Sequence, residues 1–264
     1  MHSIPATPAL DDTALLDGGH LWILEAVTGA PVRFQVTDVG LVFGDETDEF
    51  QPWGEPLPFR AAARQVRDRF DDAAFRAEVD SPDEYTFVGT ATRYEGIAYD
   101  WDRLPAFLGT DIVRPDGTVL PPDAVDRAFD RLGLTPLPPV EKETPAKHFS
   151  AERFGLPDSA WYDGPAAGLL LRNKTGGRAR VDGELPQVAL AADTDEYARE
   201  TASRWLDGVI SAQDAPTVET VLDRLLERLA REEYARLFEE ESPAFDVKAF
   251  RSTLSEAVSR RLTP

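Results

Sequence analysis

Apolar and polar residues in the first half of the chain are arranged in short runs that are typical of β-strands. Runs of this kind lie at 20–25, 32–36, 40–44, 85–89, 97–99 and 107–113, with glycine and proline between them. Short β-rich runs separated by turn residues predict an antiparallel sheet. Within 59–79 the apolar residues Ala63, Val66, Phe70 and Ala74 fall at helical spacing, which predicts an amphipathic helix lying on that sheet.

The pattern changes towards the C-terminus. Residues 121–133 predict one more helix, with Asp123 near its start and Gly133 at its end, and 136–139 is a stiff proline-rich connector. Helical periodicity then dominates 193–211, 217–241 and 246–261. We therefore expect an α+β fold, with an antiparallel-sheet domain over 1–190 and an all-helical C-terminal domain over 191–264.

The charge of the protein bears on its environment and on the ligands that it can bind. The 264 residues contain 48 Asp and Glu against 28 Lys and Arg, a net charge of -20, and only four of the 28 basic residues are lysines. An acidic, lysine-poor surface indicates a halophilic protein, because self-repulsion between carboxylates is screened in high salt. Mimicry of DNA or an acidic interaction surface is the alternative. On the halophilic interpretation, the net charge does not exclude a nucleic-acid ligand.

Several classes of site are excluded by what the sequence lacks. There is no cysteine, which removes disulfides and thiol chemistry, and the three histidines (2, 20 and 148) are too dispersed for a metal cluster. The acidic pairs Asp11-Asp12, Asp45-Glu46 and Asp71-Asp72 are expected to be solvated surface. No apolar run is long enough to cross a membrane and no leader pattern is evident, so we expect a soluble, cytoplasmic protein.

One segment concentrates basic and small residues. Within 164–180 lie Arg172, Lys174, Arg178 and Arg180. If 169–171 and 178–181 are paired strands, Arg178 and Arg180 share one face, which suits a phosphate or an RNA backbone. They could equally pair with the surrounding carboxylates. Of the aromatic residues, Trp161-Tyr162 is the first candidate for base stacking, although the five tryptophans as a group are more typical of core packing.

Five ordered segments resemble the motifs of ATP-dependent RNA ligases, within the covalent nucleotidyltransferase superfamily. The segments are Leu21-Trp-Ile-Leu-Glu-Ala-Val-Thr-Gly-Ala-Pro-Val-Arg-Phe34, Phe87-Val-Gly-Thr90, Phe107-Leu-Gly-Thr-Asp-Ile112, Ala167-Gly-Leu-Leu-Leu-Arg172 and Arg178-Ala-Arg180. The resemblance covers about residues 15–185. It implies an adenylation fold, in which antiparallel sheets flanked by helices enclose a nucleotide groove, with the helical tail as an accessory domain.

The resemblance also implies a chemistry. In the family a lysine attacks the α-phosphate of ATP to form a lysyl-AMP phosphoramidate. One glutamate holds the ribose, another helps to place a divalent metal such as Mg²⁺, and a basic pair in the last motif neutralises the phosphates.

This sequence departs from the family at the reactive positions. Ala26 stands at the nucleophilic lysine, Thr28 at the aspartate of the same motif, Thr90 at the ribose-binding glutamate and Ala167 at the metal-site glutamate. The positions that match the family, and that we expect to bind nucleotide together with Lys174 and Arg178, are Glu25, Gly29, Arg33, Asp111, Gly168, Arg172 and, with arginine in place of lysine, Arg180.

These substitutions predict an RNA-ligase-like pseudoenzyme. It would bind a nucleotide or an RNA end, in a setting such as RNA repair, without self-adenylation, and would have no catalytic residue or metal ligand of its own. One alternative is an active ligase in which another lysine, such as Lys174 or Lys147, is the nucleophile. The other is a non-catalytic module whose helical tail, 193–261, binds a partner protein through an exposed apolar face.

Overall fold

The computed structural model describes residues 1–10 and 14–263, and within them the α+β fold is confirmed. The strands are β1 (His20–Ala26), β2 (Gly29–Thr37), β3 (Gly40–Gly44), β4 (Thr86–Thr92), β5 (Phe107–Val113), β6 (Pro139–Pro145), β7 (Gly168–Arg172), β8 (Arg178–Asp182), β9 (Phe238–Glu239) and β10 (Ser242–Pro243). The helices are α1 (Leu57–Arg69), α2 (Asp72–Glu78), α3 (Pro122–Arg131), α4 (Ala151–Phe154), α5 (Thr194–Ser211), α6 (Val218–Glu232), α7 (Tyr234–Leu237) and α8 (Val247–Leu262).

The longer strands form two antiparallel four-stranded sheets. The first has the order β6-β1-β7-β8 and the second has the order β3-β2-β4-β5. Only Val27 and Thr28 separate the end of β1 from the start of β2, so the chain passes from one sheet to the other at this point. Residues on either side of this crossing therefore lie where the two sheets approach each other.

Strict alternation along β2 fixes which face of the second sheet is buried. Ala30, Val32, Phe34 and Val36 all point into the main hydrophobic core. Phe34 stacks on Phe87 with ring centroids 4.7 Å apart, and α1 covers this face of the sheet. Each fully buried phenylalanine contributes about 1.5–3 kcal/mol. The opposite face of β2 carries Pro31 and Arg33, which are not part of this core.

The single helix expected over 59–79 is two helices. The first ends at Phe70, whose backbone is extended (ψ 122°), and Asp71 begins the second by accepting a hydrogen bond from the Ala74 N–H at 2.9 Å. An aspartate at this position competes with helix continuation because its carboxylate satisfies a free backbone N–H. Helical periodicity alone did not reveal the break, since Phe70 and Phe75 point into the same core.

Two further segments differ from expectation. Residues 97–99 form no strand; Ile97 and Tyr99 instead pack as irregular chain in a smaller core between the sheets. Pro139–Pro145, part of which was expected to be a connector, is the edge strand β6 paired with β1. An edge strand tolerates proline because only one of its sides is hydrogen-bonded. The apolar alternation of β6 is weak because its middle residues, 141–143, are exposed.

The C-terminal helices share one hydrophobic cluster. α6 begins with a capping box in which Thr217 and Thr220 exchange hydrogen bonds, and it packs against α5 and α8. It also packs against α1, which joins the helical region to the sheet region. The helix expected over 217–241 ends at Glu232, and the chain continues through the short α7 into the β9–β10 hairpin.

Candidate functional site

A cavity of about 300 Å³ lies between the two sheets, beside the crossing from β1 to β2. In the first sheet, Ala26 of β1 pairs with Gly168 of β7, and Gly168 pairs with Asp182 of β8. In the second sheet, Pro31 of β2 pairs with Thr90 of β4. Residues from both sheets thus line one groove.

The groove brings together most positions singled out by the motif comparison. Five expected nucleotide-binding residues line it, namely Gly29, Asp111, Gly168, Arg178 and Arg180. The four substituted positions also line it, namely Ala26, Thr28, Thr90 and Ala167. Segments scattered over 150 residues of sequence therefore meet at one cavity, which we call the groove cavity.

Two close backbone approaches explain why glycine occupies two of these positions. A Cβ atom at Gly29 would collide with the carbonyl oxygen of Ala91, and one at Gly168 would collide with the carbonyl oxygen of Val181. Both obstacles are main-chain atoms of neighbouring strands, which cannot move without distorting the sheet. The two glycines therefore set how closely the strands pack at the cavity.

Asp111 organises the basic residues on one side of the groove. It is 2% exposed, and its carboxylate contacts the guanidinium groups of Arg172 at 2.9 Å and Arg178 at 2.7 Å. Arg172 also donates to the carbonyls of Thr110 at 2.5 Å and Leu120 at 3.1 Å. Burial lowers the pKa of Arg172, an effect that Asp111 opposes. Asp111 and Arg172 therefore act as a buried support that positions Arg178 at the cavity.

Arg178 and Arg180 both line the groove cavity, as the hairpin prediction requires. Each also contacts a carboxylate, because Arg180 lies 2.9 Å from Asp182 while Arg178 lies against Asp111. The two interpretations of this pair, anion binding and pairing with carboxylates, are thus compatible. Thr7 accepts one further hydrogen bond from each side chain, through its hydroxyl from Arg178 and through its carbonyl from Arg180. Because a guanidinium has five N–H groups, both side chains retain donors for an anion.

Glu25 is buried but does not line the cavity. Its carboxylate accepts hydrogen bonds from Ser159 Oγ at 2.5 Å and from the Ala160 N–H at 3.0 Å. These contacts fix the loop that precedes β7. Nearby, the Thr28 hydroxyl donates to the Arg93 carbonyl at 2.7 Å, and its N–H donates to the hydroxyl of Tyr99, whose pKa is raised to about 12 by burial.

Arg33 and Lys174 also lie outside the cavity lining. Arg33 is buried on β2 and donates to the carbonyl of His2 at 2.8 Å. Lys174 lies in the β7–β8 turn and forms an ion pair with Glu143 at 2.7 Å. Arg172, described above, is buried behind the lining as well. The structure thus places these side chains around the groove rather than in it.

The N-terminal segment is a part of the groove that the sequence did not reveal. Ile4, Pro5 and Thr7 line the cavity, and Leu10 and Arg180 are joined by a backbone hydrogen bond of 2.8 Å. The His2 N–H bonds to Thr86 Oγ1 on the second sheet at 2.9 Å. This segment therefore contacts both sheets. Its composition carries no strand or helix periodicity that could have indicated this position.

None of the four lysines, all of which lie among the described residues, lines the groove cavity. Lys142 pairs with Asp126 at 3.0 Å, and Lys147 and Lys248 are exposed. The carboxylates that do line the cavity are Glu95, Asp111 and Asp182, and each contacts an arginine. Over 1–10 and 14–263 no group of three His, Asp or Glu side chains is arranged to hold a metal ion.

Two further predictions from the sequence concern a stacking pair of aromatic residues and an acidic pair at the surface. Trp161 and Tyr162 pack at the edge of the core that contains Tyr99 and Leu104, beside the groove. Asp11-Asp12 lies outside the described residues. Within the part of the chain that is described, no helix combines the length and apolar character that a bilayer crossing requires.

Comparison with known proteins adds information on the fold. No protein-family model and no curated protein matches the sequence. Among solved structures, an alanine mutant of Naegleria gruberi RNA ligase with ATP and Mn aligns over 69% of this chain and 56% of its own, with a TM-score of 0.54 and 13% identity. Another alanine mutant in its apo form gives the same coverage and TM-score at 12% identity.

The same ligase with PPi gives a TM-score of 0.51 at 13% identity. This chain thus spans just over half the length of the ligase that it matches. At this level of identity the similarity concerns the fold alone. On that basis the chain shares the fold of this RNA ligase.

Proposed function

We propose that the groove cavity binds a nucleotide or the end of an RNA strand without forming a covalent adduct. The observation that carries the proposal is the presence of Ala26 in the cavity lining together with Arg178 and Arg180, while all four lysines lie elsewhere. The cavity keeps groups that bind phosphate and lacks the group that would react with it.

The contacts of the residues that line the groove cavity suggest a role for each of them. Arg178 and Arg180 offer guanidinium N–H donors to phosphate oxygens, the strongest class of hydrogen bond available here. Asp111 holds Arg178 in place through a 2.7 Å contact. Gly29 and Gly168 keep the strands close and leave the cavity free of side chains at those positions. The lining therefore favours binding through phosphate.

Self-adenylation needs an amine that attacks the α-phosphorus of ATP and displaces pyrophosphate. The methyl group of Ala26 cannot do this. The lysine of the basic hairpin, Lys174, is engaged with Glu143, which also accepts a hydrogen bond from the Trp22 indole at 3.0 Å. These placements favour a non-catalytic site over an active ligase that uses a replacement lysine.

The groove residues do not fit a divalent metal held by the protein. Each carboxylate of the lining is in contact with an arginine, and Ala167 replaces the acidic residue that the family resemblance would require. Mg²⁺ or Mn²⁺ would therefore have to arrive bound to the phosphates of the nucleotide. No step of the proposed function depends on it.

Incubation with ATP labelled at the α-phosphate tests the proposal. With Mg²⁺ or Mn²⁺ in high salt, we expect reversible ATP binding in equilibrium dialysis and no label that survives denaturation. Ala26→Phe, which fills the cavity, should abolish reversible binding. Val39→Phe, at an exposed position on the β2–β3 turn, is the matched control and should bind as the wild type does.

Two outcomes contradict the proposal. A covalent AMP adduct on any lysine would show an active nucleotidyltransferase. Equal ATP binding by the wild type and Ala26→Phe would place the nucleotide outside the groove cavity.

The third possibility, a protein-interaction module, required an exposed apolar face on the helical tail. Leu225, Leu229, Phe250, Leu254 and Val258 from that face are instead buried together in the C-terminal cluster. No observation therefore favours this function.

We also propose that the acidic surface is an adaptation to high salt, in line with cytoplasmic proteins of salt-accumulating cells. The free energy of unfolding, measured by urea denaturation, should increase as KCl is raised, because screening weakens repulsion among the surplus carboxylates. A decrease with KCl would indicate that attractive ion pairs dominate instead.

A further inference from the structure

A polar trough runs between α1 and α6, separate from the groove cavity. Three adjoining cavities of about 280, 340 and 420 Å³ form it, and Arg64 lines all three. Among the described residues, none lines both this trough and the groove cavity. We call it the arginine trough, because the residues lining it include Arg60, Arg64, Arg67, Arg69, Arg103, Arg224, Arg228 and Arg231.

The charge of the trough is opposite to that of the whole protein. Its eight arginines are a third of the 24 in the chain, and the acidic residues lining it are Glu55, Asp68, Asp102, Asp223, Glu227 and Glu232. A local excess of positive charge in a protein of net charge -20 attracts anions to the trough.

A buried carboxylate arranges two of the arginines side by side. Glu227 contacts Arg64 Nε of α1 at 2.8 Å and the Arg224 guanidinium of α6 at 2.9 Å. These contacts occupy only part of each guanidinium, and both side chains are about one third exposed. Both groups therefore keep N–H donors available to phosphate oxygens.

Trp53 lines one end of the trough and is unusually exposed. Trp53 is 79% exposed and, with Val39, is one of two large apolar residues that are exposed in the described part of the chain. The Arg67 guanidinium lies 4.1 Å from its ring centroid. The Trp53 backbone has φ 63°, a left-handed conformation that is costly for a bulky residue, by about 1–3 kcal/mol. The turn 51–54, closed by a hydrogen bond of 2.8 Å from the Gly54 N–H to the Gln51 carbonyl, imposes this conformation on the residue after Pro52.

Trp101 lines the other part of the trough. Arg231 lies 5.1 Å from its ring centroid and donates to the backbone carbonyls of Trp101 and Leu104. Arg103, next to it, is largely exposed. Arginines therefore lie between two tryptophans along one continuous surface.

We propose that the arginine trough binds a single-stranded nucleic acid, with phosphates on Arg60, Arg64 and Arg224 and a base stacked on Trp53. Single-strand binding surfaces combine a positive groove with aromatic platforms, and stacking contributes about 1–3 kcal/mol per base. A duplex would present its phosphates but not an unstacked base. The exposed ring of Trp53 is what favours a single strand over an acidic protein, whose carboxylates need no flat aromatic partner.

Fluorescence anisotropy with a labelled single-stranded RNA of about 12 nucleotides tests the proposal without ATP present. We expect Trp53→Ala to weaken binding about fivefold or more, and Trp53→Phe to restore most of it, because phenylalanine keeps a stacking face. Arg60→Ala with Arg224→Ala should lower the slope of log K against log salt by about 1.4, because each phosphate contact of a single strand contributes about 0.7. Arg127→Ala with Arg131→Ala, on the exposed face of α3, removes equal charge elsewhere and should change neither quantity.

The controls separate this proposal from that for the groove. If ATP fails to bind while RNA binding depends on Trp53, the groove proposal fails and the trough proposal stands. To exclude binding of the RNA end in the groove, the comparison is made in the Ala26→Phe background, and the trough proposal is wrong if Trp53→Ala then binds RNA as tightly as its parent. It is also wrong if the duplex form of the RNA, or a poly-glutamate peptide of equal charge, binds as tightly as the single strand. Circular dichroism of each variant confirms that it is folded.

Discussion

Replacing Asp111 with asparagine is expected to lower the free energy of unfolding by about 3–5 kcal/mol, the usual cost of removing one partner from a buried ion pair. Arg172 is 4% exposed and cannot reach water to replace the lost carboxylate, and Arg178 is nearly as buried. The asparagine amide carries no charge and has one acceptor oxygen in place of two, so its NH₂ group, a donor, would face one of the two guanidinium groups. Urea denaturation at constant KCl measures the difference.

Asp182→Asn is the matched control for this prediction. It removes an aspartate of the same groove, but its ion pair with Arg180 is exposed, so a loss below about 1 kcal/mol is expected. If Asp111→Asn lost no more stability than Asp182→Asn, then Asp111 would not be the support of the basic cluster.

Replacing Arg178 and Arg180 together with alanine is expected to weaken ATP binding at least about tenfold, because charge-assisted hydrogen bonds contribute about 1.5–3 kcal/mol each. The affinity should also depend less on KCl, since fewer ionic contacts remain to be screened. Isothermal titration calorimetry over a series of salt concentrations measures both quantities.

Arg180→Ala alone separates binding from folding in this experiment. Arg180 is half exposed and contacts the exposed Asp182, so its loss should leave the unfolding transition unchanged while it reduces ATP affinity. Arg114→Ala with Arg127→Ala, which lie outside the groove cavity lining, should not affect ATP binding. If the Arg178/Arg180 variant bound ATP as tightly as the wild type, these arginines would have a structural role only.

The parts of the fold that the sequence predicts are those where one face of an element is buried. Along β2, the residues Ala30, Val32, Phe34 and Val36 alternate with polar or small residues, and the strand is where the pattern predicts it. Helices α5, α6 and α8 carry apolar residues every three or four positions and were expected for the same reason. Burial leaves a periodic signal, and periodicity can be recognised without a structure.

The features that could not be predicted depend on contacts between distant segments. β6 carries the polar run Glu141-Lys142-Glu143-Thr144, and only its pairing with β1 makes it a strand. Glu25 matched the family pattern, yet its partners, Ser159 and Ala160, lie more than 130 residues away. No local pattern encodes such a partner.

The arginine trough illustrates the same limit. Arg64 and Arg224 belong to helices far apart in the sequence, and each lies on a helix surface where an isolated charge is unremarkable. Only the packing of α6 on α1 brings them to a shared carboxylate, Glu227. Pro52 and Gly54 are typical of the turn that contains Trp53, but the exposure of the tryptophan ring does not follow from its neighbours in the chain.

The positions of the four lysines have a practical consequence for handling the protein. None of them lines the groove cavity or the arginine trough. Amine-reactive dyes, biotin esters and amine-coupled sensor surfaces that attach at a lysine therefore leave the residues of both proposed binding surfaces unmodified. Phenylglyoxal, which reacts with guanidinium groups, should instead block both, so the two reagents together distinguish binding through these arginines from binding elsewhere.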